Sequence, residues 1–84
     1  MEEIKKIPTS IEEGCRFLFM NKKRNVKWII RKEGSRMIMR KIGTIEERNW
    51  KLTDFTRFNN FDAWNVFILE DRDKLEDCLL IMDI

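Results

Sequence analysis

The residues best suited to chemistry lie between Lys27 and Ile42, in the stretch KWIIRKEGSRMIMRKI. Arg31, Arg36 and Arg40 recur there among Ile, Met and Trp. Guanidinium groups bind phosphates and carboxylates through planar, paired donors. An anionic, flat-sided ligand such as a nucleotide suits a face that is basic and partly apolar. Aromatic rings would hold the base of such a ligand, and Trp28 and Trp64 are the candidates. The site residues expected from the sequence are therefore Arg31, Arg36, Arg40, Trp64 and Trp28, in a binding role and not a catalytic one.

These residues need a hairpin to position them. Gly34 can take the positive φ required at the first position of a type II′ turn, and Ser35 suits the second. If those two residues are the whole loop, Glu33 faces Arg36, Arg31 faces Ile38 and Ile29 faces Arg40, whereas a three-residue loop would shift the pairing. Side chains alternate across a strand. One face then holds Trp28, Ile30, Met37 and Met39. The other holds Lys27, Arg31, Arg36 and Arg40 with Ile29, Ile38 and Ile42. The bland reading of that second face is a solvated outer surface.

Residue inventory argues against an enzyme. The chain has no His, no Tyr and two Ser. Ser-His and Cys-His nucleophile pairs are thereby absent, as is the commonest general base near neutral pH. Cys15 and Cys78 show no metal-ligand spacing, so no metal and no cofactor is expected, and both read as reduced core residues. Dinucleotide-binding, Walker A, HExxH and RNA-recognition signatures are missing.

Eighty-four residues, 43% of them hydrophobic, point to one folded domain, 1–84, with 1–8 as a charged, flexible lead-in. No secretory signal or membrane-length apolar run is visible, so no membrane partner is expected and the cytoplasm is the expected location. Charge is uneven. Residues 1–42 carry twelve Lys or Arg against five Asp or Glu, and residues 43–84 carry five against ten. That split suits either an anion-binding half or two halves that pair.

Around the hairpin, Ser10-x-x-Glu13 and Thr9-x-x-Glu12 read as capping boxes. With the stripe Ile11, Cys15, Leu18 and Phe19 they predict an N-terminal helix ending near Asn21. Trp50-Lys51-Leu52-Thr53 is a short strand candidate, and DFTRFNN (54–60) a loop or single helical turn. FDAWNVFIL (61–69) is the most apolar strand. Asp73-x-x-Glu76 and the stripe Leu75, Cys78, Leu79 and Met82 predict a short C-terminal helix. The expected fold is α+β: an N-terminal helix packed on a small antiparallel sheet of about four strands, with a short C-terminal helix. Phe55, Phe58, Phe61, Trp64 and Phe67 crowd one segment, more apolar bulk than one helix covers, which predicts a homo-oligomer.

Ser10 to Cys15 at the opening helix, Ile29-Ile30-Arg31-Lys32 in the basic strand, Leu52-Thr53, and Asp62-Ala63-Trp64-Asn65-Val66 at the close resemble the second family of Thoeris anti-defence phage proteins, which has anti-CRISPR relatives. The resemblance spans residues 10–69, and Arg31 and Trp64 are the positions that carry over. The position three residues after Arg31, where that family places a Trp, is Gly34 here. The resemblance implies a non-catalytic homo-oligomer that sequesters a cyclic nucleotide immune signal in the host cell cytoplasm. Two other readings are a protein-binding inhibitor of a bacterial defence effector or nuclease, and a small non-specific nucleic-acid-binding module.

Overall fold

The computed structural model describes residues 1–70. They form a single antiparallel sheet of six strands and one helical turn. The strands are β1 (Glu2–Ile4), β2 (Arg16–Asn21), β3 (Lys27–Glu33), β4 (Arg36–Lys41), β5 (Glu47–Lys51) and β6 (Trp64–Leu69), and the helix is α1 (Leu52–Phe55). Their order across the sheet is β1-β6-β2-β3-β4-β5. Consecutive strands β2 to β5 form a meander, and β6 returns between β1 and β2. No helix of the described residues is long and apolar enough to cross a membrane.

The basic hairpin forms with the register of the two-residue loop. Glu33 pairs with Arg36, Arg31 with Ile38 and Ile29 with Arg40. Gly34 has φ 64°, in the left-handed region that its missing Cβ allows. Trp28, Ile30 and Met37 are buried on one face, as the alternation requires. Glu13 locks the hairpin tip. Its carboxylate accepts the Gly34 N–H at 2.9 and 3.1 Å and a bond from Lys32 Nζ at 3.1 Å.

The expected N-terminal helix is overturned, and with it the α+β assignment. Residues 16–21 are the strand β2, at the centre of the sheet between β6 and β3. Phe17 and Phe19 point to one face and Leu18 to the other, and all three are buried. A strand covered on both faces is apolar at consecutive positions, and such a run also satisfies a helical stripe. Gly14 decides locally: its φ of 80° lies outside any right-handed helix. Glu13 serves the hairpin and not a helix cap. Ile11 and Cys15 do pack on the core face, but from an irregular connection.

Residues 1–8, expected as a flexible lead-in, supply β1 and the buried Ile7. Glu2, Glu3 and Ile4 pair with Ile68, Phe67 and Val66, which extends the sheet past β6. The sheet therefore has six strands where about four were expected. The expected C-terminal helix from Asp73 lies outside the described residues.

The main core sits on the face lined by Phe17, Phe19, Trp28, Ile30, Met37 and Val66. Its cover is Ile7 with the segment after β5. The Leu52 N–H donates to Ser35 O at 3.0 Å, tying α1 to the hairpin tip. That anchor drops Phe55 into the core, fully buried, with its ring centroid 5.1 Å from Phe17, 5.8 Å from Phe19 and 5.3 Å from Trp50. The aromatic run expected to meet a second copy is thus largely the lid of its own sheet. Ile45 is the single large apolar residue that stands exposed among the described residues. A smaller cluster on the opposite face joins Leu18 and Leu69 to Met1, Met20, Ile29, Ile42 and Phe67.

Two predictions follow from this packing. Phe55→Ala should cost about 3–5 kcal/mol, a large share of a small domain's stability, measured by urea unfolding. The second concerns Glu13, whose carboxyl is held below its ordinary value by the Gly34 N–H first and by Lys32 next. A depressed folded value means that the stabilisation is complete above the ordinary glutamate range. It is lost as pH falls through the lower folded value. Glu13→Gln should melt earlier than the unmutated protein at neutral pH, and the two should converge in acid.

Candidate functional site

Strand alternation separates the expected site residues onto two faces. Arg31, Arg36 and Arg40 share the outer face of the hairpin. Trp28 and Trp64 lie on the core face. One chain therefore cannot place Arg31 or Arg40 and either tryptophan around the same small ligand.

The basic face carries a concavity of 250 Å³ lined by Arg16, Ile29, Arg31, Glu33, Ile38 and Arg40. Arg16 stands opposite Arg31 in the ladder, a placement hidden by the helical reading of its segment. Two of the three guanidiniums have partners. Arg16 Nη2 donates to Glu70 O at 2.9 Å, and Arg40 Nη2 lies 3.3 Å from Glu47 Oε2. Glu33 places a carboxylate in the lining. Arg36 is exposed at the hairpin tip and does not line the concavity. The face is cationic, with Arg40 answered by Glu47 and Arg16 bound to a backbone carbonyl.

The core face opens as an aromatic cleft of 220 Å³, lined by Phe19, Trp28, Met39, Arg48, Trp50, Phe58 and Trp64. All three tryptophans of the chain meet there. β3 supplies Trp28, β5 supplies Trp50 and Arg48, and β6 supplies Trp64 at its first position. Phe58 follows α1 and packs edge-on to Trp50 at 6.0 Å and to Phe19 at 5.0 Å. Trp28 is buried and forms the floor side of the cleft, whereas Trp50, Trp64 and Phe58 are half-buried. The Arg48 guanidinium lies 5.5 Å from the centre of the Trp28 ring, within cation–π range. Its Nε sits 2.7 Å from Glu46 Oε2, an ion pair whose angles fall short of a hydrogen bond.

Trp50, Arg48 and Phe58 join the cleft without being among the site residues expected from the sequence. The signal was there. Arg48 and Trp50 are two apart in a strand, so they share a face, and their ladder partners are Met39 and Met37 of the core face.

Chemically, the cleft offers aromatic ring surface beside one guanidinium. Arg48 is the one ionisable residue in its lining, and a guanidinium is a poor general base. No protein-family model, curated protein or solved structure matches the chain. The likeness to the anti-defence family thus rests on the residues quoted above.

The Arg48–Trp28 contact makes a direct prediction. Arg48→Ala should destabilise the fold by about 0.5–1 kcal/mol, the size of an exposed cation–π pair, and change the tryptophan emission spectrum.

Proposed function

We propose that this protein is a non-catalytic anti-defence protein that sequesters a small cyclic nucleotide signal, with the base held in the aromatic cleft. The convergence of Trp28, Trp50, Trp64 and Arg48 on one opening carries this reading. A nucleobase inserted beside Trp50 and Trp64 exchanges water for ring faces, a contact that is tolerant of base identity and contributes about 1–3 kcal/mol per base. Sequestration asks for affinity alone. No bond breaks, so no general base is needed, in keeping with a chain that has no His.

The cleft, at 220 Å³, is below the roughly 300–1,000 Å³ of pockets that enclose whole drug-sized ligands. It suits one base and not a complete cyclic dinucleotide. Two copies would offer two clefts, one for each base, and the homo-oligomer belongs to this proposal for that reason. Host defence proteins enter the reading indirectly, as the receptors deprived of their signal.

Titration with a panel of cyclic di- and trinucleotides and cyclic ADP-ribose isomers tests the reading, with tryptophan fluorescence as readout. At least one member should quench the emission and be recovered intact after the protein is denatured. Trp64→Ala should weaken its binding by about 5- to 150-fold, the equivalent of one lost stacking contact. Recovery of cleaved ligand, or unchanged affinity in Trp64→Ala, would overturn the reading.

A further inference from the structure

We infer that the phosphate-binding part of this site is the turn between β2 and β3, through Lys23 and Arg24, and not the hairpin arginines. The inference rests on the nucleotide reading above and assigns the anionic half of the ligand. Trp64 is the link. It lines the aromatic cleft and also a second, open concavity of 420 Å³, bordered by Asn21, Lys22, Lys23, Arg24, Asn60, Asp62 and Ala63. Trp64 is the residue that the two openings share, so a ring stacked on it lies next to this turn.

The turn is built to hold its shape. Asn21 pairs with Trp64 across the β2–β6 ladder, so the turn begins beside the indole. Asn21 Oδ1 accepts the backbone N–H groups of Lys23 and Arg24 at 3.0 and 2.9 Å. Asn21 N–H closes the turn onto Val26 O at 2.8 Å, and Asn25 takes φ 52°. Lys22 is bound on both sides, through its N–H to Ala63 O at 3.0 Å and its Nζ to Phe61 O at 3.1 Å. Lys22 thereby clamps the turn to the entry of β6.

Lys23 and Arg24 are different. Both are exposed, and neither side chain makes a hydrogen bond or ion pair with the described residues. They are cations next to the stacking surface whose donors are open to a ligand. The alternatives are engaged or misplaced. Arg48 is held against Trp28 and Glu46, and Arg31 and Arg40 lie across the sheet. Asp62 is the opposing group, a carboxylate on the same rim that repels an anion. The expected ligand class is thus a nucleoside phosphate: an aromatic base bearing one or more phosphoryl groups.

Adenosine 5′-monophosphate and adenosine are the probes, read by tryptophan quenching. The monophosphate should bind about tenfold more tightly than the nucleoside, and added salt should erase the advantage. The double variant K23A/R24A should remove that difference while leaving adenosine affinity and melting temperature unchanged. R31A/R40A should keep the difference, and Asp62→Asn should enlarge it. Equal binding of the two probes, or loss of the difference in R31A/R40A alone, would overturn the phosphate assignment and leave base stacking intact. Failure of both probes to quench would overturn this assignment, whereas the nucleotide reading itself falls only if the cyclic nucleotide panel also fails.

Discussion

Period-two alternation along β3 and β4 is the constraint from which the rest of this molecule follows. A strand sends neighbouring side chains to opposite faces. Trp28 and Ile30 must therefore go one way and Ile29 and Arg31 the other, and the two-residue turn at Gly34-Ser35 fixes the same phase in β4. Glu13 holds that phase by binding the Gly34 N–H from outside the hairpin. One slip in register would exchange the faces and bury arginine in place of methionine. The separation of guanidiniums from indoles is thus not an accident of side-chain rotamers. It is set by the backbone.

The core face inherits its character from that phase. Trp28, Ile30, Met37 and Met39 continue the apolar surface begun by Phe17 and Phe19 on β2. No long helix among the described residues covers it. The lid is one helical turn and the aromatic loop that follows, and Phe55 and Phe58 each touch rings from β2 and β5. Among the described residues, a lid this narrow covers the centre of the face and leaves its border open. The aromatic cleft is that border, where Trp50, Phe58 and Trp64 are packed on one side and accessible on the other. Fold and candidate site share their residues, so a change that disturbs the core face also disturbs the slot.

The hairpin was legible in the sequence because its signals are local. A Gly-Ser turn, two-residue alternation and flanking β-branched residues all lie within sixteen positions. β2 was not legible, for a physical reason. Its residues pack into one cluster on each face of the sheet, so Phe17-Leu18-Phe19 carries no alternation to reveal a strand. Pairing of β1 with β6, more than sixty positions away, left no local trace either. The candidate site was half legible. Trp28 and Trp64 were identified as ring residues, but Trp50 and Arg48 join them only through β4–β5 pairing. Arg31, Arg36 and Arg40 were correctly grouped on one face, and the sequence could not place that face relative to Trp64.

The central claim is that the tryptophan face, and not the arginine face, meets the ligand. Nuclear magnetic resonance titration of the labelled protein with a cyclic dinucleotide tests it most directly. The protein has three indole N–H groups and no Tyr, so the aromatic cleft has its own resolved signals. The account predicts that the indole signals of Trp50 and Trp64 shift first, together with the backbone amides of Lys23 and Arg24. Shifts confined to Ile29, Arg31, Ile38 and Arg40, with the indole signals unmoved, would contradict it.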